Sequence, residues 1–65
     1  MKTSTITIGE FVRREREKVG MSIKDVSTSS GLSTSTISET ENNIHTPRVS
    51  TLMRMLNSIE EQSTT

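Results

Sequence analysis

Apolar residues recur at helical spacing in separate segments of the chain, and glycine, asparagine or proline lies between the segments. The first segment predicts a helix over about residues 8–19, and the last predicts one over about residues 49–60. Shorter segments between them carry the same periodicity, so the pattern predicts an all-α fold. The apolar faces are formed by Ile8, Phe11, Val12 and Val19 in the first helix and by Val49, Leu52, Met53, Leu56 and Ile59 in the last.

Three predicted helix starts share one capping pattern. Thr7, Ser22 and Ser33 have short hydroxyl side chains that can accept a hydrogen bond from a free N–H of the first helical turn. Glu10 and Asp25, three positions after the first two caps, complete capping boxes. The second helix is expected to end near residue 30 and the third near residues 41–42. Hydrophobic staples pair Ile6 with Phe11, Met21 with Val26 and Leu32 with Ile37, and the helix stops are Gly20, Gly31 and Asn43.

Residues 27–38, STSSGLSTSTIS, contain nine Ser or Thr among twelve, a composition that is typical of a flexible linker. A linker does not explain why the glycine and the apolar residues fall at the spacing of two short helices joined by a turn. We therefore interpret the segment as part of a helix-turn-helix. Such a unit needs a small residue at the helix crossing (Ser27), a residue free to adopt positive φ (Gly31), and apolar residues that lock the helices together (Val26 and Ile37).

The segment MSIKDVSTSSGLSTSTISETENN, followed by Pro47 and the apolar run around Leu52, resembles the lambda-repressor/Cro-like, or XRE-type, helix-turn-helix family. The resemblance covers roughly residues 8–60, and GLSTSTIS with the following glutamate is its most specific part. It implies a small all-α bundle of four to five helices that is often dimeric on double-stranded DNA. The third helix would lie in the major groove as the recognition helix.

The resemblance also implies roles for individual residues. Arg16 and Glu41 match a salt bridge between the first helix and the end of the recognition helix, whereas the rest of residues 13–18 is expected to be solvated, with pairs such as Arg13–Glu17. Glu39 is either a solvated charge or an acceptor for cytosine N4. The positions that match base contacts are Thr34, Ser35, Ser38 and Glu39, and those that match contacts to the DNA backbone are Ser22, Ser33, Asn42, Asn43 and Arg48.

The chain departs from the family pattern at three places. Ile23 replaces a glutamine that commonly holds a phosphate, and Thr40 replaces a large apolar residue, so the core beneath the recognition helix is expected to be under-filled. No apolar run for a fifth helix follows the fourth. Because the apolar side of the fourth helix, including Met53 and Met55, then lacks a cover, we expect homodimerisation through this helix and the C-terminal region.

Composition narrows the function. The 65 residues are enough for one domain, here an N-terminal arm (1–6), a helix-turn-helix domain (7–60) and a polar tail (61–65). Eight basic residues balance eight acidic ones, so charge alone does not indicate a nucleic-acid partner. No base and orienting acid accompany the many hydroxyls, and His45 is expected to be a loop residue, so we predict no enzyme activity, cofactor or metal. Without a signal-peptide pattern or an apolar membrane span, the expected location is the cytoplasm.

Two classes of function remain open. The first is a sequence-specific DNA-binding transcriptional regulator, a repressor that binds a palindromic operator as a dimer. The alternative is an antitoxin-type interaction protein, similar to HipB-like members of the family, which binds a toxin partner and represses its own operon.

Overall fold

The computed structural model describes residues 6–63, the side chain of Ser63 excepted, and this range folds into helices without a strand. The helices are α1 (Ile8–Lys18), α2 (Ile23–Ser30), α3 (Thr34–Glu41) and α4 (Val49–Ser63). The predicted all-α fold is therefore confirmed. Helix α4 extends past residue 60, so the first part of the predicted polar tail is helical. The predicted arm, apart from Ile6, lies outside the described residues, as do the last two residues of the tail.

The first three helices begin at the predicted caps. The Ser22 hydroxyl accepts from Asp25 N (3.0 Å) while the Asp25 carboxylate accepts from Ser22 N (2.9 Å), which completes the expected capping box. The box predicted at Thr7 is wrong in its second half. Thr7 Oγ1 accepts from Glu10 N at 3.1 Å, but within the described range the Glu10 side chain returns no bond. Ser33 accepts from Thr36 N at 3.1 Å.

Positive φ angles mark the predicted helix stops. Gly20 and Gly31 have φ of 75° and 79°, and Asn43 has φ of 60°. Gly31 matters most, because it directs the chain from α2 into α3 through a left-handed conformation that a side chain would strain. The turn between these two helices is therefore set by local backbone chemistry.

The core is a single cluster of apolar side chains beneath all four helices. Helices α1 and α2 each pack against both α3 and α4. This arrangement leaves the outer face of α3 uncovered. The buried apolar residues are Val12, Met21, Val26, Ile37, Met55 and Ile59.

The predicted apolar side of α4 is rotated relative to the core. Met55 is fully buried and Ile59 is 3% exposed, whereas Val49 and Met53 are 77% and 50% exposed. The prediction placed Val49, Met53 and Ile59 on one apolar side and treated Met53 and Met55 as filler of the core and an interface, and the burial of Met55 agrees with the core part. Because α4 buries the face that carries Met55 and Ile59, the stripe of Val49 and Met53 faces outward.

Ile8 and Phe11 of α1, 45% and 41% exposed, are likewise only partly covered. Phe11 lines an open groove between α1 and α4 together with Val19, Leu56 and Ile59, and Glu15, Lys18 and Glu60 form its rim. We call this surface the α1/α4 groove.

Thr40 lies on the buried face of α3, where it is 1% exposed. Its hydroxyl donates to the Thr36 carbonyl oxygen at 2.9 Å, so the polar atom is satisfied within the helix. The residue that replaces the expected large apolar side chain is thus compatible with burial.

Ser58 of α4 is 3% exposed, and its hydroxyl has no hydrogen-bond partner within the described residues. Desolvating an unpaired hydroxyl costs free energy, and alanine has the higher helix propensity. We therefore expect Ser58→Ala to raise the free energy of unfolding by about 1 kcal/mol in urea denaturation. Ser50→Ala, at an exposed position of the same helix, is the matched control and should change it by less than about 0.5 kcal/mol. A destabilised Ser58→Ala variant would contradict the prediction.

None of the helices in the part of the chain that the structure describes has both the length and the apolar character that crossing a membrane requires.

Candidate nucleic-acid interface

Helix α3 has one buried face and one uncovered face. Ile37, Thr40 and Glu41 point into the protein and are at most 3% exposed. The four residues predicted to contact bases lie on the other face, where Ser38 is half-buried and the other three are exposed. Together with Ile23 of α2 they line one shallow depression: Thr34, Ser35, Ser38 and Glu39.

Hydroxyl groups stabilise the turn between α2 and α3. The Ser27 hydroxyl donates to the Leu32 carbonyl oxygen, and the Ser30 hydroxyl donates to the Val26 carbonyl oxygen at 2.6 Å. Gly31 N donates to Ser27 O at 2.9 Å. Two serine hydroxyl bonds and one backbone bond thus stabilise the turn, so Ser27 and Ser30 have a structural role beyond the small size expected of Ser27.

A buried salt bridge joins α1 to the end of α3. Arg16 Nε lies 2.7 Å from Glu41 Oε2, and a second guanidinium nitrogen donates to Glu41 Oε1 at 3.0 Å. The Glu41 side chain is 1% exposed and that of Arg16 is 12% exposed. The hydrogen bonds to Glu41 raise the pKa of the Arg16 guanidinium above its ordinary value. Arg16 also donates to the Met21 carbonyl oxygen at 2.9 Å, so one side chain links α1, α3 and the start of α2.

Arg13 takes part in the same cluster, in contrast to the expected pair with Glu17. Its Nε lies 3.4 Å from Glu41 Oε1, and one of its terminal nitrogens donates to Asn42 Oδ1 at 3.0 Å. The expected pair is wrong because Arg13 precedes Arg16 by three residues and therefore lies on the helix face that points to α3. That spacing was the signal that the sequence offered for its role.

The side chain of Asn42 connects Arg13 to the uncovered face of α3. Its Nδ2 donates to the Ser38 carbonyl oxygen at 2.8 Å and lies 3.4 Å from the Ser38 hydroxyl. Both ends of the amide are therefore engaged within the protein, so a contact from Asn42 to a DNA phosphate competes with these bonds.

The other residues predicted to contact the DNA backbone, Ser22, Ser33, Asn43 and Arg48, are all exposed. The Ser22 and Ser33 oxygens already accept cap hydrogen bonds, so each can offer an anion only its hydroxyl proton. The Ser33 hydroxyl also lies 2.8 Å from Thr36 Oγ1, which competes for that proton. At Ser22 the Asp25 carboxylate is a close neighbour, and the hydrogen bonds from Ser22 lower the pKa of this carboxyl. Its retained negative charge weakens Ser22 as a phosphate contact.

Between residues 6 and 63, no group of three or more His, Cys, Asp or Glu side chains is arranged to hold a metal ion.

A family model described as helix-turn-helix, of the XRE type that includes lambda repressor and Cro, matches residues 12–60. The chain belongs to this family. The match spans both helices of the motif and most of α1 and α4, and it confirms the resemblance seen in the sequence. This family is a DNA-binding regulatory domain, which makes the uncovered face of α3 the candidate DNA-binding surface. No curated protein and no solved structure gives a significant match to the chain.

Proposed function

We propose that this helix-turn-helix protein is a cytoplasmic, sequence-specific repressor of transcription that binds a palindromic operator as a homodimer. Helix α3 would lie in the major groove with its N-terminal half against the base edges. A two-fold dimer would place the two recognition helices about 34–36 Å apart, one turn of DNA.

The division of α3 into two faces carries this proposal. Its inner face is fixed by Ile37 in the core and by the Arg16–Glu41 salt bridge, while its outer face presents short hydroxyl side chains and Glu39. Short side chains allow a helix to approach the groove closely, and hydroxyl groups can donate to or accept from base edges. Ser22, Ser33, Asn42, Asn43 and Arg48 are the proposed contacts to the DNA backbone.

Binding-site selection from a random DNA pool tests the proposal, and variants of α3 test its reading face. Ser35→Ala and Glu39→Gln are expected to change the ranking of operator variants, with losses of about 1–3 kcal/mol at the base pair that each residue contacts. The measurement is affinity for the selected operator and its single-base variants at two salt concentrations.

Ser29→Ala is the control, since it removes an exposed hydroxyl from α2 and should leave the ranking unchanged. Selection that returns no consensus, or a ranking that neither α3 variant alters, would contradict reading by this face. Helix α3 would then be a protein-binding surface.

The α1/α4 groove, together with exposed Met53 and Val49, supports the dimer. A contiguous apolar surface on a small domain commonly marks a protein interface. We expect Met53→Glu to shift the protein towards monomer in sedimentation equilibrium, because dimerisation would bury the introduced charge. Ile44→Glu alters a more exposed apolar residue, 74% accessible in the loop before α4, and should leave the dimer intact. A wild-type protein that stays monomeric both free and on its operator would contradict the dimer.

The same groove favours one alternative, in which it binds a toxin and the protein is an antitoxin that also represses its own operon. Co-expression with the product of the neighbouring gene distinguishes the two. A stable complex that Met53→Glu disrupts would support the antitoxin, whereas a homodimer that the neighbouring product leaves unchanged would support the simple repressor.

A further inference from the structure

The orientation of the Asn42 side chain is determined by its two neighbours. The Arg13 guanidinium can only donate hydrogen bonds, so the amide oxygen must face it, as the 3.0 Å contact shows. The Ser38 carbonyl oxygen can only accept, so the amide NH₂ must face Ser38, at 2.8 Å. With the amide rotated the other way, both contacts would become repulsive. Arg13 therefore holds the Asn42 NH₂ group beside the Ser38 hydroxyl.

This arrangement restricts how Ser38 can form hydrogen bonds. The Asn42 NH₂ lies 3.4 Å from Ser38 Oγ, on a side where the oxygen can only accept. Over the described range the Ser38 hydroxyl proton has no acceptor in the protein, and Ser38 lines the open depression of α3. A serine hydroxyl has one proton and two lone pairs. The Asn42 NH₂ faces one of these lone pairs, so the proton is directed away from Asn42 towards an external acceptor and only one lone pair remains for an external donor.

We infer that Arg13 and Asn42 are positioning residues that make Ser38 a hydrogen-bond donor to a base edge in the DNA major groove. The inference rests on the proposed function, because it requires α3 to face DNA bases. Arg13 of α1 would thereby contribute to operator selectivity. Its other role is structural, as the second arginine that contacts Glu41.

The chemistry of the base edges defines what Ser38 would select. Guanine offers N7 and O6, adenine offers N7 and thymine offers O4 as acceptors, whereas cytosine offers only the N4 amino donor. Because Asn42 faces one of the two lone pairs while the proton is free, Ser38 favours a purine or thymine over cytosine at the contacted position. A freely rotating serine would tolerate all four bases.

The test measures binding of the full chain to its selected operator and to all single-base variants. Ser38→Ala is expected to flatten the preference at one base pair by about 2–10-fold, the range for a single neutral hydrogen bond. Arg13→Met is expected to flatten the preference at the same base pair, and combining the two changes should add nothing further. Replacing the contacted purine with its 7-deaza analogue should match the effect of Ser38→Ala wherever N7 is the acceptor.

Arg14→Met is the control, since it removes the neighbouring exposed positive charge without touching Asn42. If Arg13→Met instead weakens all operators alike and lowers the salt dependence by about one phosphate, Arg13 is a plain backbone contact and the inference is overturned. It is equally overturned if Ser38→Ala changes no preference while Ser35 and Glu39 variants do, and in that case the proposed function stands. Failure to select any operator would contradict both this inference and the proposed function.

A second substitution tests the role of the amide without removing Arg13. Asn42→Asp keeps an acceptor for Arg13 but replaces the NH₂ donor with a carboxylate oxygen, towards which the Ser38 proton would turn. The preference at the base pair that Ser38 contacts should then shift towards bases with amino donors, cytosine N4 or adenine N6. This shift should appear even if the added negative charge lowers the affinity for all operators. An unchanged ranking of the four bases at that position would contradict the positioning role.

Discussion

Glu41→Ala is expected to lower the free energy of unfolding by about 3–5 kcal/mol, the cost of removing one partner of a buried ion pair. The Glu41 carboxylate is 1% exposed and accepts from both Arg16 and Arg13. Its removal leaves the Arg16 guanidinium, itself only 12% exposed, without an anion. At the low end of the roughly 3–10 kcal/mol expected for a domain of 65 residues, this loss equals the whole stability, and at the high end it still removes about a third to a half. The variant should therefore melt far below the wild type.

Thermal and urea denaturation followed by circular dichroism measure this effect. Glu39→Ala is the matched control, since Glu39 is an exposed residue of the same helix and its loss should cost less than about 0.5 kcal/mol. Replacing both members of the pair, Arg16→Met with Glu41→Leu, should recover much of the loss, because apolar side chains avoid the unpaired charge. A melting curve for Glu41→Ala that coincides with the wild type would contradict the role assigned to the salt bridge.

Local chemistry made the course of the chain predictable from the sequence. Caps such as Ser22 with Asp25 depend on residues three positions apart, and a glycine stop such as Gly31 depends on one residue, so both can be read without knowledge of the tertiary structure. The helix-turn-helix follows from these signals with the apolar positions of Val26 and Ile37. The uncovered face of α3 follows in turn, because the inner face of this helix is defined by Ile37.

Tertiary contacts account for the features that the sequence did not reveal. The apolar stripe of α4 is wide enough for more than one orientation, and packing against α1 and α2 buries Met55 while Met53 stays half exposed. Arg13 could pair with Glu17 one turn away or with Glu41 across the fold, and the local pattern favours the first. The second occurs because Glu41 is already fixed beside α1 by Arg16.

Gly9 shows most clearly how a long-range contact escapes a local pattern. It lies in the first turn of α1, is buried and has no positive φ, so nothing in the neighbouring sequence indicates why glycine is needed. A Cβ at this position would lie 2.7 Å from the Glu41 carbonyl oxygen and 2.7 Å from Asn43 Oδ1, and closer still to the Thr40 carbonyl oxygen. Glycine is thus what allows the start of α1 to approach the end of α3.

Gly9→Ala is therefore expected to lower the free energy of unfolding by about 1–3 kcal/mol or more, as overpacking does. Helix propensity alone gives the opposite sign, because alanine within a helix is favoured over glycine by roughly 0.5–1 kcal/mol. The sign of the change in urea denaturation thus decides between the two effects. Two of the three obstructing atoms are backbone carbonyl oxygens, which cannot move aside without displacing the last turn of α3.

The double variant Gly9→Ala with Asn43→Gly separates backbone from side-chain crowding. Of the three atoms nearest to the added Cβ, only Asn43 Oδ1 belongs to a side chain, and the second substitution removes it. Glycine also suits the φ of 60° at residue 43. The Thr40 and Glu41 carbonyl oxygens remain in place. Measured against Asn43→Gly alone, Gly9→Ala should therefore still be destabilising. Glu10→Ala, at the exposed neighbouring position, is the control and should change stability little. A Gly9→Ala protein as stable as the wild type would mean that α1 can shift away from α3 at no cost. The contact of α1 with the end of α3, which holds Arg13 beside Glu41, would then be less rigid than the interatomic distances indicate.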